Sequence, residues 1–191
     1  KVHCFAPDIE QHHVVDHLAK SEAPESRNVL KEAARIARSD IQPLSALNPK
    51  EFDALVLPGG YGVAKNLSDL AFKGKDATVL PAYASVIEAF HNAGKPIGAI
   101  CIAPAVVALA LKHKGVTLTI GEDAGTAAVI EASGNKHQNS PTDQVVVDSK
   151  HRIASCSAYM RDDAIARVAE GIQKCIAAVM AMVGQQQERK A

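Results

Sequence analysis

The chain is predicted to be an α/β protein, a sandwich of helices and a mostly parallel sheet with an antiparallel hairpin at one edge. Three observations lead to this prediction. Short apolar runs alternate with helical patterns along most of the chain. A run at residues 97–100 passes through Cys101 into a longer apolar run that starts a helix. Two further short runs, at residues 144–148 and 152–156, are separated by a tight turn, as in a hairpin.

Composition limits the class of protein. The 191 residues fit one domain, which we predict over residues 1–184, followed by a polar tail at residues 185–191 that is expected to fray. Lys+Arg and Asp+Glu number 21 each, so no excess of basic residues indicates a nucleic-acid or anionic-membrane partner. The longest charge-free stretch, residues 96–111, is shorter than the roughly 18 apolar residues of a membrane span. A soluble globular domain is therefore expected.

The cysteines form no CxxC pair, which favours free thiols in a reducing compartment and disfavours structural zinc. They are Cys4, Cys101, Cys156 and Cys175. His12, His13 and His17 lie close together in the segment QHHVVDH. A metal site there is the weaker alternative, because no HExxH pattern is present. We expect a polar loop that helps to line a pocket, with a short extended piece at residues 14–15.

The remaining elements follow from hydrophobic periodicity and from helix start and stop signals. Strands are predicted at residues 2–5, 54–57, 97–100, 116–120, 144–148 and 152–156. Helices are predicted at residues 25–38, around 66–72, at 81–93, after Cys101, at 126–133 and at 163–183. Ser26 is the expected cap of the first helix. Asn48 is expected to cap a short helical turn that starts at Pro49.

Cys101 is the candidate nucleophile. It stands where a buried strand turns into a helix, and Pro104 suits the first turn of that helix. Free N–H groups and the positive end of the helix dipole favour the thiolate form of a cysteine at this place. A cysteine in an apolar stretch is also commonly a small buried hydrophobe, and that alternative stays open at this point.

Gly59 and Gly60 follow the predicted strand at residues 54–57. Glycines at the carboxyl end of a strand allow unusual backbone dihedrals and expose N–H groups, which can hold a developing oxyanion. They can also form nothing more than a tight turn. Ligands of open α/β sheets bind at the carboxyl ends of strands, so these glycines and Cys101 are expected to meet there.

Several motifs together resemble one protein family. They are FAPD at residues 5–8, ESRNVLKEAARIAR at 25–38, PGGYGVAKNLS at 58–68, GKPIGAICIAP at 94–104, TIGEDAGTA at 119–127 and SAYM at 157–160. The chain is similar to the enhancing-lycopene-biosynthesis type of the PfpI-like, class I glutamine-amidotransferase-like superfamily, whose animal relatives are mitochondrial. The resemblance implies a flavodoxin-like three-layer sandwich, a nucleophile elbow at Cys101, homodimers, and cofactor-free glyoxalase-like activity on 2-oxoaldehydes. It also implies a mitochondrial location, with a bacterial-type cytoplasm as the alternative.

The chain departs from the family pattern in three ways. The family's first strand and helix, with an acidic residue that faces the cysteine, are apparently absent, so the domain is expected to be N-terminally incomplete. Ile102 stands where related hydrolases place a histidine. His113 and His137 are the downstream alternatives, and neither gives a secure Cys-His dyad. The segment 155–157 reads Ser-Cys-Ser in place of the family's Thr-Thr-Pro.

The leading functional hypothesis is conversion of methylglyoxal to lactate through the Cys101 thiolate, with the N–H groups of Gly60 and Ile102 stabilising the oxyanion. We further expect Gly59, Asn66 and His17 to help bind the substrate. The alternative is a catalytically weak or inactive structural or regulatory subunit, in a homodimer or in a larger mitochondrial assembly. A glutaminase subunit is the third hypothesis, disfavoured by the missing histidine.

Overall fold

The computed structural model describes residues 1–188, with side chains described through residue 185. It confirms the predicted α/β fold with mostly parallel strands. The ten strands are β1 (Cys4–Ala6), β2 (Val14–Asp16), β3 (Ser21–Ala23), β4 (Ile41–Pro43), β5 (Leu55–Leu57), β6 (Ile97–Ile100), β7 (Thr117–Leu118), β8 (Lys136–His137), β9 (Val146–Asp148) and β10 (Ile153–Cys156). The seven α-helices are α1 (Val29–Ala37), α2 (Tyr61–Asn66), α3 (Leu70–Lys73), α4 (Pro81–Asn92), α5 (Ala103–Ala110), α6 (Ala124–Ala132) and α7 (Ile165–Glu188).

The largest sheet has the strand order β5-β6-β10-β9. Its first three strands are parallel, and β9 is antiparallel to β10, which confirms the predicted edge hairpin. In the register of the sheet, Ile97 lies between Leu55 and Ile153. The carboxyl ends of β5, β6 and β10 therefore meet at one edge, where the segments that follow them can form a site.

The other described strands form three two-stranded groups. β1 pairs in parallel with β4, β2 forms a hairpin with β3, and β7 pairs in parallel with β8. Among the strands of residues 1–188, none joins the β1–β4 pair to the four-stranded sheet. The parallel strands are thus divided into two groups.

The core lies on both sides of β6, in which all four residues are buried. On one side α5 is apolar on every face, as expected for a helix that packs inside a domain. On the other side α7 crosses β6 closely at Gly98. A Cβ at Gly98 would lie 2.9 Å from Val179 Cγ2, so the absence of a side chain allows this contact between helix and sheet. The carboxyl end of β6 is therefore held in place between two helices, α5 and α7.

Helix starts follow local hydrogen bonds. α1 begins at Val29, because the side chain of Asn28 accepts the N–H of Lys31 at 3.0 Å. The prediction of Ser26 as the cap was wrong, since the Ser26 hydroxyl donates to the carboxylate of Glu10 instead. Asn48 does cap the short 3₁₀ turn at Pro49–Glu51, as predicted.

The predicted helix around residues 66–72 is divided in the structure, since α2 ends at Asn66 and α3 begins at Leu70. The other predicted strands and helices are present with bounds shifted by a few residues. The final helix differs most at its end: it continues to Glu188, past the expected boundary at residue 184. Glutamine and glutamate are good helix formers, and no proline interrupts them there. The last three residues of the expected tail lie outside the described residues. None of the helices in residues 1–188 combines the length and apolar character that a bilayer crossing requires.

Candidate active site at the carboxyl end of the sheet

Cys101 occupies a sharp turn between β6 and α5. Its φ of 61° lies in the left-handed region, which non-glycine residues adopt at an energetic cost. The turn is pinned by the Cys101 N–H, which donates to the carbonyl oxygen of Cys156 at 3.0 Å. Pro104 lies in the first turn of α5, as expected. The half-buried Cys101 thiol is thereby presented at the end of a rigid strand.

Gly59 packs directly against this turn. A Cβ on Gly59 would lie 2.4 Å from the carbonyl oxygen of Ile100 and 3.0 Å from Cys101 Cβ. Gly59 also has a φ of 81°, which suits glycine. Only a glycine therefore allows the loop after β5 to approach the cysteine this closely. Gly60 follows with a φ of 93° and caps α2 in open space.

A cavity of about 780 Å³ opens over the Cys101 turn. It contains four of the six residues that the sequence predicted for the site, namely Cys101, Gly59, Gly60 and Ile102. Segments from six other parts of the chain complete it. The remaining lining residues are Pro58, Tyr61, Ala64, Leu70, Ala71, Gly74, Ile100, Gly125, Thr126, Val129, Ala158, Tyr159, Met160 and Ile172.

The lining is almost entirely apolar. Among the described residues that form it, no aspartate, glutamate, histidine, lysine or arginine is present. Besides Cys101, its polar side chains are the hydroxyls of Tyr61, Thr126 and Tyr159. Tyr61 and Tyr159 are 71% and 67% exposed, so both phenols stand at the opening rather than at the bottom. The cavity can thus exclude water from a ligand while it offers few hydrogen bonds.

The N-termini of two helices, α5 and α6, lie at the cavity, and that of α6 is capped by the carboxylate of Asp123. α5 begins beside Cys101, with Ile102 as its cap, and the first residues of α6 line the opposite wall. Such N-termini favour a negative charge close to them. Asp123 caps α6, and hydrogen bonds from the side chain and backbone of Thr126 hold the pKa of Asp123 below its ordinary value. An anionic oxygen of a ligand bound beside Cys101 would therefore lie close to the N-terminus of α5.

Asn66 and His17 do not belong to the cavity lining. The side-chain oxygen of Asn66 accepts the N–H of His12 at 2.7 Å, so Asn66 fastens the polar loop to the end of α2. His17 is exposed in the turn between β2 and β3. The sequence predicted both residues at the site because of their motifs, but neither is among the lining residues of the cavity.

The histidine loop forms a separate polar cluster. His13 Nδ1 lies 3.1 Å from Glu22 Oε1, and His13 Nε2 lies 2.7 Å from Lys65 Nζ. The ring of His12 packs on Phe72 with a centroid distance of 4.4 Å. Within residues 1–188, no three His, Cys, Asp or Glu side chains are grouped so that they could hold a metal ion. The loop therefore binds α2 and α3 instead of lining the cavity.

The two downstream histidines also lie away from Cys101. His137 Nε2 accepts the N–H of Ile120 at 3.3 Å, and burial lowers the pKa of His137. The His113 N–H donates to Ser133, and the ring of His113 lies against Gly134. Neither histidine lines the cavity, so the described residues contain no Cys-His dyad there.

The sequence analysis missed Tyr61, Tyr159, Thr126 and Met160 as lining residues. Each lies inside a motif quoted above: Tyr61 in PGGYG, Thr126 in TIGEDAGTA, and Tyr159 and Met160 in SAYM. PGGYG was interpreted through its two glycines, and the other two motifs only through the family resemblance. That these motifs lie at the same cavity can be known only from the strand order of the sheet. β5 and β10 lie on either side of β6, although about 100 residues separate them in sequence.

Comparisons with known proteins agree with this architecture. The human protein named glutamine amidotransferase-like class 1 domain-containing protein 3, mitochondrial, is 41% identical over an alignment of 194 positions, which covers 96% of this chain and 72% of the human protein. The ES1 protein, mitochondrial, of Danio rerio is 29% identical over an alignment of 171 positions, which covers 82% of this chain and 63% of that protein. These names support a mitochondrial location for the chain.

A solved structure is also similar. It is the crystal structure of an isoprenoid biosynthesis protein with an amidotransferase-like domain from Ehrlichia chaffeensis. The TM-score is 0.85 and the identity 45%, over 94% of this chain and 82% of that chain. The DJ-1/PfpI family matches residues 37–166, a range that includes the Gly59 loop, the Cys101 turn and the Tyr159 segment. The chain therefore belongs to the DJ-1/PfpI family.

Proposed function

We propose that the protein is a cofactor-independent, glyoxalase-like enzyme that converts small 2-oxoaldehydes to 2-hydroxy acids through the Cys101 thiolate. The observation that carries the proposal is the strained turn at Cys101, which presents a thiol to an apolar cavity that is partly open to solvent. The close approach of Gly59 to this turn supports a role for the adjoining N–H groups as oxyanion donors.

The chemistry begins with addition of the thiolate to the aldehyde carbon, C1, of methylglyoxal. A C–S bond forms, and the electron pair of the C=O bond moves to the oxygen, which the N–H groups of Gly60 and Ile102 stabilise. Protonation of the oxyanion by water gives the hemithioacetal. A base removes the proton on C1 and gives an enediolate, and protonation at C2 with transfer of the hydroxyl proton from the C1 oxygen to the C2 oxygen gives the thioester. Water attacks the thioester, the C–S bond breaks, and lactate and the free thiol are released.

The proton transfer needs an acid/base group. The described lining offers phenols and one aliphatic hydroxyl for this purpose, but no carboxylate or imidazole. Tyr61 and Tyr159 are therefore the chain's own candidates. Tyr61→Phe and Tyr159→Phe variants, assayed separately, would identify the group by a loss of kcat at unchanged methylglyoxal KM.

The experiment that tests the proposal is formation of lactate from methylglyoxal by the purified protein with its native N-terminus. Lactate should form at a rate proportional to enzyme concentration and should not form with Cys101→Ala. Equal rates for the two proteins would contradict the mechanism. Cys4→Ala is the matched control, because Cys4 is also a half-buried free cysteine but lies outside the cavity.

A second function is favoured by the uncharged lining itself. A cavity with no strong acid/base group also fits an enzyme fold that is retained as a structural or regulatory subunit of a larger assembly. Size-exclusion chromatography of the protein from its native source would distinguish the two functions. A particle much larger than a dimer, together with no lactate formation, would favour the subunit.

The proposal includes a homodimer, as the family resemblance implies. Exposed apolar side chains next to the cavity support it: Tyr159 and Ile165 are 67% and 73% exposed and lie on consecutive elements. Light scattering at rising protein concentration would test it. A mass of one chain at every concentration would contradict it.

A further inference from the structure

The cavity is large compared with methylglyoxal. Its volume of about 780 Å³ lies in the range of about 300–1,000 Å³ that is typical of sites for drug-sized ligands. Methylglyoxal places two carbonyl groups near the thiol and only one methyl group beyond them. Because a good fit requires most of the ligand surface to be buried, methylglyoxal would leave most of this space filled with water.

The wall of the cavity beyond Cys101 is apolar. Leu70, Val129 and Met160 contribute to it, and Leu70 and Val129 are themselves buried. No charged side chain of the described lining could pair with a carboxylate or a phosphate on a ligand. A charged substituent would therefore lose its hydration without compensation, whereas an apolar substituent would gain free energy from burial.

Aromatic groups fit the opening better than aliphatic ones. Tyr61 and Tyr159 present two exposed rings, and Met160 adds a polarisable thioether. Aromatic rings pack favourably against both kinds of group. We propose that the cavity selects 2-oxoaldehydes that carry an uncharged aromatic substituent, in preference to methylglyoxal. This inference rests on the proposed function and names the substrate class for the same site.

The test compares kcat/KM for phenylglyoxal and for methylglyoxal in the wild type and in Ala71→Trp. Ala71 is an exposed residue of α3 that lines the opening, so the new ring would occupy the space of the aromatic substituent. The phenylglyoxal/methylglyoxal ratio should exceed about tenfold in the wild type and fall at least fivefold in Ala71→Trp. The two aldehydes differ in intrinsic reactivity, but this difference contributes equally to the ratio in every protein and therefore does not affect the comparison between variants.

The matched control is Ala82→Trp, an exposed alanine of α4 outside the cavity, for which the ratio should not change. Circular dichroism would verify that both variants are folded. A ratio that is the same in all three proteins would overturn the inference and would leave the proposed function intact.

Measurements of ligand binding can test the aromatic selectivity independently of the proposed enzymatic activity. Calorimetric titration of Cys101→Ala with acetophenone and with acetone requires no turnover. Acetophenone should bind at least tenfold more tightly than acetone, and the added Ala71→Trp substitution should remove this difference. Selective binding without turnover of either aldehyde by the wild type would refute the proposed function alone. Equal binding of the two ketones would refute the aromatic selectivity.

Discussion

The carboxyl ends of β6 and β10 show how two neighbouring cysteines acquire different environments. The strands are adjacent and parallel, and Cys156 is in register with Ile100, one residue before Cys101. Cys101 is half-buried and lines the cavity, whereas Cys156 is 0% exposed. A cysteine at the carboxyl end of a central strand is therefore not exposed to the cavity by its position in the sheet alone.

The difference lies in what covers each strand end. At β10 the loop at residues 119–121 closes over the end: the Thr119 N–H donates to Ser155 Oγ at 3.0 Å, and a Cβ on Gly121 would lie 3.0 Å from Ser157 Cβ. From the other side Cys175 of α7 forms a side-chain hydrogen bond with Cys156. This hydrogen bond and burial both raise the pKa of the Cys175 thiol. At β6 the chain turns away through a positive φ and leaves the thiol facing the cavity.

The largest expected effect is a loss of enzymatic activity on substitution of Cys101, in contrast to Cys156. Cys101→Ala should lower kcat/KM for 2-oxoaldehydes by more than about 10³-fold, because no other group of the cavity lining is a comparable nucleophile. Steady-state assays of lactate formation measure it. Activity within about threefold of the wild type would mean that the two strand ends do not differ in chemistry.

The second effect concerns the close contact at the open strand end. Gly59→Ala should lower the free energy of unfolding by about 3 kcal/mol, because the new Cβ would both strain the backbone and overlap the Ile100 carbonyl oxygen. Gly60→Ala is the matched control, since Gly60 also has a positive φ but has no atom within 4 Å of the Cβ position. Its cost should be about 1–2 kcal/mol. Urea denaturation gives both values, and equal losses would disprove the steric role of Gly59.

The third expected effect concerns Cys156, at the covered end of β10. Cys156→Ser places a hydroxyl in the apolar space that Cys156 shares with Cys175 and Val168, at a cost of about 1–3 kcal/mol of stability. The activity per folded molecule should be retained, because Cys156 does not line the cavity. Denaturation and lactate assays on the same sample check both statements. A loss of activity as large as that of Cys101→Ala would show that Cys156 takes part in the reaction.

The smallest effect is a pH dependence at the loop that covers β10. His137 must be neutral at Nε2 to accept the Ile120 N–H, and burial holds its folded-state pKa below the ordinary 6.5. The unfolded chain therefore binds a proton first as the pH falls, so stability is full above about pH 6.5 and declines below it, towards the folded-state pKa. His137→Gln should reduce this decline. Denaturation midpoints measured between pH 5 and 8 would show it, and identical pH slopes for variant and wild type would contradict it.

Local features of the fold were readable from the sequence because they depend on neighbouring residues. The alternation of elements, the hairpin turn, the cap at Asn48 and the strand-to-helix turn at Cys101 belong to this group. Ser26 was misassigned because Ser26 and Asn28 are both good caps, and a contact with Glu10, which is distant in sequence, decided between them.

Membership of the cavity could be predicted only in part. Gly59, Gly60 and Cys101 follow adjacent parallel strands, so their meeting follows from the fold class. Asn66 and His17 were expected at the site, but Asn66 binds the His12 N–H and His17 is exposed in the turn between β2 and β3. The contact of Asn66 joins residues that are 54 positions apart, and local sequence patterns carry no information on it. Tyr159 reaches the opening because β10 lies beside β6.

The sequence by itself determined the fold class, the turn that carries Cys101 and the glycines that can approach it, because dihedral preferences and hydrophobic periodicity act over a few residues. The tertiary structure alone decided which strand end is open, which residues form the wall of the cavity and that no charged side chain is among the lining residues that the structure describes. Those properties depend on how segments about 100 residues apart pack against each other, and short-range preferences do not encode such packing.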